Sequence, residues 1–187
     1  MGQGTKGMQF IILMGPKHSG KTSAGRELAK RLHCGFTDLD EAITLRCGES
    51  PRSLYEKGSE FFKKAETETL AALLDQEKTN SPSAVPPLQV MAAGGGIIDN
   101  DGAIKLIQNN PEIVTVYIDV CAQTAWERIN KEKELPPFLG TINPRETHLL
   151  LHERRAEAYR RFASATVKAE NRDPSEIACE ISILLNQ

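Results

Sequence analysis

Short apolar runs alternate with longer segments of helical character along most of the chain. The apolar runs predict five strands, at about 10–14, 36–38, 88–93, 113–119 and 165–169. The first run, FIILM, is apolar at every position, which is typical of a strand buried on both faces. Strands that alternate with helices predict a parallel sheet with helices on both faces, and therefore an α/β domain.

The segments between these runs predict the helices. Residues 60–77 carry apolar or small side chains at helical spacing and charges elsewhere, which predicts an amphipathic helix. Ser50, followed by a proline, is a typical N-cap for a helix at 52–57. Asp99 is the cap predicted for a helix at 102–109. The remaining helices are predicted at about 22–32, 40–46, 122–131, 145–162 and 174–185.

The segment between the first predicted strand and helix matches the pattern G-x-x-x-x-G-K-[ST]. Its glycines allow the backbone to turn tightly, so that N–H groups converge on a phosphate. Lys21 would reach the β- and γ-phosphates, and Thr22 would offer its hydroxyl to Mg²⁺. The alternative is a glycine-bounded turn that carries an exposed lysine. We predict a nucleotide site formed by Gly15, Pro16, Lys17, His18, Ser19, Gly20, Lys21, Thr22 and Ser23.

Two carboxylates follow the second predicted strand, at the edge of the sheet where ligands bind in open α/β folds. Asp38 and Asp40 are separated by one residue and are suited to two different tasks. One can hold Mg²⁺ through water while the other takes a proton from an attacking hydroxyl. The alternative is that one of them caps the next helix.

Three consecutive glycines, Gly94, Gly95 and Gly96, follow the third predicted strand and face the same crevice. Glycine allows a ligand to lie directly against the backbone, where N–H groups can donate to it. A flexible strand-to-helix turn is the alternative interpretation.

Composition limits the partners. The chain has 187 residues, 40% of them hydrophobic, and a formal net charge of −2, which gives no overall attraction to nucleic acid or to an anionic membrane. No apolar run approaches the length of a membrane span, so a cytoplasmic protein is expected. The four cysteines form no C-x-x-C pair, and we expect reduced, mostly buried thiols. Residues 1–7 are expected to be a disordered leader or a remnant of cloning, and residues 8–187 a single domain.

Together, the motifs resemble those of the shikimate kinase family. Many nucleotide-binding proteins share the phosphate-binding loop, but its combination with the later motifs is far more specific. Their order and spacing match those of the family from about Phe10 to the C-terminus. The later motifs are F-x-D-x-D at 36–40, G-x-E-x-F-K at 58–63 with Glu66, A-A-G-G-G at 92–96, and Arg155 with Tyr159 and Ala163.

The resemblance implies a P-loop NTPase fold, with a five-stranded parallel sheet of order 2-3-1-4-5. It places a substrate-binding part at about 50–77 and a lid at about 132–146. The implied activity is transfer of the γ-phosphoryl group of ATP, with Mg²⁺, to a hydroxyl of a small carboxylated polyol, most simply shikimate to give shikimate 3-phosphate. A monomer is expected, whose partners are ATP and a small acid acceptor. The alternatives are a kinase of another small hydroxy acid, such as gluconate, and a nucleotide-binding module that has lost catalysis.

The resemblance also implies roles for single residues. Asp38 would belong to the Mg²⁺ shell, and Asp40 would contact the acceptor diol and act as a base. Lys21 and Asp40 are therefore the catalytic candidates. Arg155 would clamp the acceptor carboxylate, and the three glycines at 94–96 would line the acceptor pocket.

Two positions depart from the family pattern. Lys63, with Lys64 as the alternative, stands where the family has a second carboxylate-binding arginine, which keeps the charge but loses the bidentate fork. Pro136 stands where the family has a lid arginine that closes over the phosphates. Arg128 and Arg172 lie where the family places arginines beside adenine, although surface salt bridges are an equal alternative for both. The residues that flank the lid and can replace its arginine are Lys131, Lys133 and Arg145.

Overall fold

The structure, a computed structural model, describes residues 9–79, 88–131, 134–140 and 142–185. The predicted leader at 1–7, and positions 132, 133 and 141 of the predicted lid, lie outside the described residues. In chain order the elements are β1 (Phe10–Met14), α1 (Lys21–Leu32), β2 (Gly35–Asp38), α2 (Leu39–Cys47), α3 (Pro51–Lys57), α4 (Ser59–Thr79), β3 (Gln89–Ala92), a 3₁₀ turn (Ile97–Asp99), α5 (Asp101–Gln108), β4 (Ile113–Asp119), α6 (Ala122–Ile129), a second 3₁₀ turn (Pro137–Leu139), α7 (Pro144–Phe162), β5 (Ala165–Lys168) and α8 (Pro174–Leu184).

These strands form one parallel sheet in the order β2-β3-β1-β4-β5, so the predicted topology is confirmed. β1 lies at the centre of the sheet and is buried along its whole length, as an apolar strand requires. Leu13 of β1 and Asp38 of β2 both pair with Ala92 of β3. The segments that follow these three strands therefore leave the sheet side by side at one edge.

Helices cover both faces of the sheet, because the side chains of β1 alternate between two cores. Phe10, Ile12 and Met14 pack with residues of α2, α4, α5 and α7 on one face. Ile11 and Leu13 pack with residues of α1 and α8 on the other face. Burial of apolar surface on both sides of the central strand stabilises the sheet and fixes the position of the loop that follows β1. In the described ranges, no helix has the length and apolar character needed to span a membrane.

The predicted cap of the helix after the three glycines is wrong. The N-cap of α5 is Asn100, whose side chain accepts a hydrogen bond from the Ala103 amide at 3.3 Å. Asp99 instead ends the 3₁₀ turn that precedes this helix. Its carboxylate pairs with the side chains of Arg154 and Arg155, and is therefore not available to cap the helix.

The four cysteines are free thiols, as expected, but the prediction that they are mostly buried is wrong. Cys47 ends α2 and Cys121 caps α6, and both are exposed because these helix ends lie at the surface. Cys34 and Cys179 are partly buried.

Candidate active site

The phosphate-binding loop has the backbone that its glycines predict. Gly15 has a φ of 145°, and a Cβ atom there would lie 2.6 Å from the carbonyl oxygen of Ile118, so only glycine fits. Gly20 has a φ of 94° and directly precedes α1. The loop therefore ends at a helix N-terminus, where backbone N–H groups and the helix dipole favour a phosphate.

Lys21 is a buried cation inside this loop. Its exposed fraction is 8%, and its Nζ donates a hydrogen bond to the carbonyl oxygen of Pro16 at 2.7 Å. Burial lowers the pKa of Lys21 to about 8, although Asp40 and Asp38 act in the opposite direction. Lys21 is thus charged at neutral pH, and its burial excludes the alternative of an exposed lysine on a simple turn.

Asp38 caps a helix with one carboxylate oxygen and bonds Thr22 with the other. Its Oδ1 accepts a hydrogen bond from the Asp40 amide at 3.0 Å, at the start of α2. Its Oδ2 accepts from the Thr22 hydroxyl at 2.7 Å. A hydroxyl and a carboxylate are thereby held together beside the phosphate loop. This pair fits Mg²⁺, which prefers oxygen ligands and takes few of them from the protein when phosphates supply others.

Two further carboxyl groups, those of Asp40 and Glu66, each have a buried oxygen near Gly94. Asp40 is in the first turn of α2, and its buried Oδ1 has no hydrogen-bond partner among the described residues. Burial and the neighbouring Asp38 raise the pKa of Asp40, while Lys21 acts to lower it. Glu66 on α4 is fully buried, and its Oε2 accepts from Asn100 at 2.9 Å. Its Oε1 has no partner in the described part of the chain, and burial raises the pKa of Glu66 to about 7.

The three glycines, which we call the triple-glycine segment (94–96), lie against both carboxyl groups. A Cβ atom on Gly94 would be 2.7 Å from Oε1 of Glu66 and 3.2 Å from Oδ1 of Asp40. A side chain here would fill the space in front of the two oxygens that have no described partner. Glycine therefore leaves that space to a ligand hydroxyl.

The same segment contacts the phosphate loop and α7. A Cβ atom on Gly95 would lie 2.7 Å from the backbone nitrogen of Lys17, and one on Gly96 would lie 3.0 Å from Nη2 of Arg155. Tyr159, one helical turn after Arg155, donates a hydrogen bond to the carbonyl oxygen of Gly95 at 3.2 Å. The R-x-x-x-Y spacing thus fixes the guanidinium against the glycines.

A described part of the predicted lid packs over Arg155. The ring centre of Phe138 lies 5.4 Å from the guanidinium carbon of Arg155. Arg52 on α3 donates a hydrogen bond to the carbonyl oxygen of Leu135 at 2.7 Å. This contact connects the lid to the predicted substrate-binding part. Pro136, at the position of the family's lid arginine, is buried.

The other predicted cations differ in where their side chains lie. Arg128 donates a hydrogen bond from Nη1 to the carbonyl oxygen of His18 at 2.7 Å, so its guanidinium lies on the phosphate loop. The ammonium group of Lys63 lies 3.2 Å from the carboxylate of Glu60. Arg172 bonds side-chain and backbone oxygens of α8. The contacts of Lys63 with the acceptor and of Arg172 with the nucleotide stay predictions.

Of the residues that flank the lid, Lys131 is exposed and Arg145 donates a hydrogen bond to Gln123 at 3.2 Å. Lys133 lies outside the described residues. Neither Lys131 nor Arg145 borders the cleft at the phosphate loop, whereas Arg128 does.

This cleft has a volume of about 380 Å³ and brings most of the predicted nucleotide and metal residues together. A larger cavity of about 580 Å³, at the carboxyl ends of β4 and β5, contains none of the predicted residues. Because the smaller cleft combines the phosphate loop with Asp40, it is the candidate active site. Its lining comprises Lys17, His18, Gly20, Lys21, Thr22, Ser23, Asp38, Asp40, Ala93, Gly95 and Arg128.

Glu66 belongs to a matched motif, but sequence reasoning assigned it no role. Its position in the sequence indicates burial, because Glu66 lies at helical spacing between Phe62 and Leu70 on the apolar face of α4. A glutamate on such a face has to be buried and hydrogen-bonded, and Asn100 is the partner that the structure reveals. Asp99 and Phe138 carried no comparable signal.

We expect Glu66→Gln to stabilise the protein at about pH 8 and to have little effect at about pH 5. The carboxyl group is protonated in the fold up to about pH 7, against an ordinary value of 4.5, so its stabilising contribution is fully present below 4.5 and is lost as the pH rises through 7. The shift corresponds to at most about 3 kcal/mol. Urea unfolding at the two pH values measures the difference. The matched control is Glu68→Gln, an exposed position on α4, and equal destabilisation by Glu66→Gln at both pH values would contradict the expectation.

The fold and this cleft define a P-loop nucleotide-binding protein. Beside its phosphate loop, the triple-glycine segment contacts the carboxyl groups of Asp40 and Glu66 and the guanidinium of Arg155. The chain belongs to the shikimate kinase family, whose model matches residues 17–186. It is 30% identical over 182 residues to the shikimate kinase of Vibrio parahaemolyticus, covering 95% of this chain and 96% of that protein.

Solved structures give the same result. The chain is similar to a shikimate kinase from Acinetobacter baumannii in complex with shikimate, with a TM-score of 0.81 and 26% identity over 95% of this chain and 93% of that one. It also resembles a gluconokinase from Sinorhizobium meliloti, with a TM-score of 0.60 and 17% identity over 96% of this chain and 93% of that one. At that identity the likeness to the gluconokinase shows the fold alone.

Proposed function

We propose that the chain is an ATP-dependent kinase that transfers the γ-phosphoryl group to a hydroxyl of shikimate, giving shikimate 3-phosphate. The observation that carries the proposal is the meeting of the phosphate loop, Asp40 and Arg155 at the triple-glycine segment. One side of the segment faces groups that suit phosphates. The other faces groups that suit a small acid with several hydroxyls. Membership of the shikimate kinase family supports shikimate as that acid.

The positions of the residues support the following proposed roles. The phosphate loop and Lys21 bind the β- and γ-phosphates and neutralise their charge. Asp40 accepts a hydrogen bond from the attacking hydroxyl and takes its proton as the oxygen bonds to phosphorus. ADP leaves with the electrons of the broken bond. Arg155 orients the acceptor through its carboxylate, which places the hydroxyl for attack.

We further propose that Thr22 and Asp38 hold Mg²⁺, since their oxygens already lie together beside the phosphate loop. When bound, the ion supplies positive charge to the phosphates during transfer. Arg128, which the His18 carbonyl holds on the loop, is our candidate for the cation that the family's lid arginine would provide. Its position on the phosphate loop also supports the proposal that Arg128 contacts the nucleotide.

A kinase of another small hydroxy acid is the second candidate. The observation that favours it is Lys63, whose ammonium pairs with Glu60 and cannot form a bidentate fork with a carboxylate. With one arginine in place of two, the site would discriminate less strongly among acids. A nucleotide-binding module without catalysis has less support, because the phosphate loop and Asp40 keep the chemistry that transfer requires.

ADP release tests the proposed function. With ATP and Mg²⁺, we expect wild-type protein to release ADP rapidly when shikimate is present and at least about a hundredfold more slowly without it. Gluconate in place of shikimate tests the second candidate. If ADP release is the same with and without either acid, the kinase proposal fails; if gluconate alone stimulates it, the second candidate replaces the first.

A cytoplasmic monomer is part of the proposal. The phosphate loop, Asp40 and the triple-glycine segment meet within one copy of the chain, which supports a monomer. The free cysteines are consistent with a reducing compartment. Light scattering coupled to size-exclusion chromatography would measure the oligomeric state.

A further inference from the structure

Arg155 already holds a carboxylate that belongs to the protein. Oδ2 of Asp99 accepts a hydrogen bond from Nε of Arg155 at 2.8 Å and lies 2.8 Å from its Nη2. The same oxygen accepts from Nη2 of Arg154 at 2.9 Å. The side chains of Arg155 and Asp99 are only 14% and 22% exposed, so water screens this ion pair less than a surface pair.

The remaining contacts of Arg155 fix its orientation. Nη1 lies 3.4 Å from the carbonyl oxygen of Gly95, and the guanidinium carbon lies over the ring of Phe138, 5.4 Å from its centre. A guanidinium has five N–H donors, and its Nε–Nη2 edge is one of the two edges that bind a carboxylate with two parallel bonds. Asp99 occupies that edge, which leaves the acceptor the Nη1–Nη2 edge, and the two edges share Nη2.

The charges around Arg155, like the geometry, disfavour the binding of the acceptor's carboxylate. Asp99 lies between two guanidinium groups, so the three side chains together carry one net positive charge. Burial acts to raise the pKa of Asp99, but the hydrogen bonds with Arg154 and Arg155 outweigh it and hold the pKa below its usual range. Asp99 is therefore ionised at neutral pH and repels a second carboxylate at Arg155.

We propose that Asp99 sets the selectivity of the site for a carboxylated acceptor, because it competes for Arg155 and lowers the affinity for the acceptor's carboxylate. The inference rests on the proposed function and names the residue that tunes it. It follows that wild-type protein discriminates weakly between an acid acceptor and the same molecule without its charge. Asp99 acts through Arg155 and is not itself a catalytic residue.

The test compares shikimate with its methyl ester, which keeps the ring hydroxyls but loses the negative charge. In Asp99→Asn, at saturating ATP, we expect KM for shikimate to fall about tenfold and KM for the ester to change less than about twofold, with kcat within about twofold of wild type. Asp101→Asn is the matched control, because this exposed aspartate lies two residues further on at the start of α5. We expect neither KM to change in the control.

Three results would overturn the inference. A higher KM for shikimate in Asp99→Asn would mean that Asp99 orients Arg155 for the acceptor. Equal changes for acid and ester would mean a purely structural role, and an unchanged KM for both would mean none. Calorimetric titration with shikimate needs no turnover: about tenfold tighter binding to Asp99→Asn supports the inference even if wild-type protein phosphorylates neither compound. Absence of binding to both proteins overturns it.

Discussion

Asp40→Asn is expected to reduce kcat with shikimate by about a hundred- to ten-thousandfold, while KM for ATP changes by less than about threefold. Asparagine keeps the size of the side chain and an oxygen that accepts a hydrogen bond, but its amide cannot take the proton of the attacking hydroxyl. The fold should persist, because burial already disfavours the charge that the change removes. Steady-state ADP release measures the rates, and thermal unfolding verifies that the variant is folded.

Glu41→Gln is the matched control for this change. Glu41 is the next residue of α2, is exposed, and pairs with Arg26 at 3.1 Å on the surface. Its replacement should leave kcat within about twofold, since an exposed ion pair contributes little. If Asp40→Asn keeps more than about a tenth of the wild-type kcat, Asp40 does not act as the base, and the hydroxyl is activated by position alone.

The fold could be predicted because most of its determinants are local in sequence. The run at 10–14 is apolar at every position and forms the fully buried central strand. Gly15 and Gly20 stand where the backbone needs a positive φ, so the loop pattern predicted the observed turn. The order of the strands in the sheet is not local in sequence, because hydrophobic periodicity does not determine which strands are neighbours. It was implied by the family resemblance and is confirmed by the pairing of the strands.

The partners of charged side chains could not be predicted in the same way. Asp99 was expected to cap a helix, yet its partner Arg155 is 56 positions away in the chain. Glu66 and Asn100 meet because α4 and α5 pack together, which the spacing within either helix does not reveal. A charged side chain has several neighbours within reach, and tertiary packing decides which of them it bonds. The acceptor side of the cleft depends on such contacts more than the phosphate side does.

Lys21→Ala is expected to reduce kcat with shikimate by about a hundred- to a thousandfold and also to weaken ATP binding. Lys21 is buried in the phosphate loop and donates a hydrogen bond to the carbonyl oxygen of Pro16, so alanine removes a cation from inside the loop. The variant should remain folded, because the fold no longer has to bury an ammonium group. Lys30→Ala is the control on the same helix, since this lysine is exposed and pairs with Glu27 at 2.7 Å.

Titration of Lys21 gives a second measurement that separates its role from that of Asp40. Because the pKa of Lys21 is about 8, wild-type affinity for ATP should fall as the pH rises above about 8, where binding has to recover a proton. Calorimetry at about pH 7 and pH 9 should show this fall in wild-type protein but not in Lys21→Ala. In Asp40→Asn the fall should begin at a lower pH, because Asp40 acts to raise the pKa of Lys21. A fall of equal size in Lys21→Ala would assign the titrating group elsewhere. Near-normal ADP release by Lys21→Ala would contradict the assignment of the phosphate loop itself.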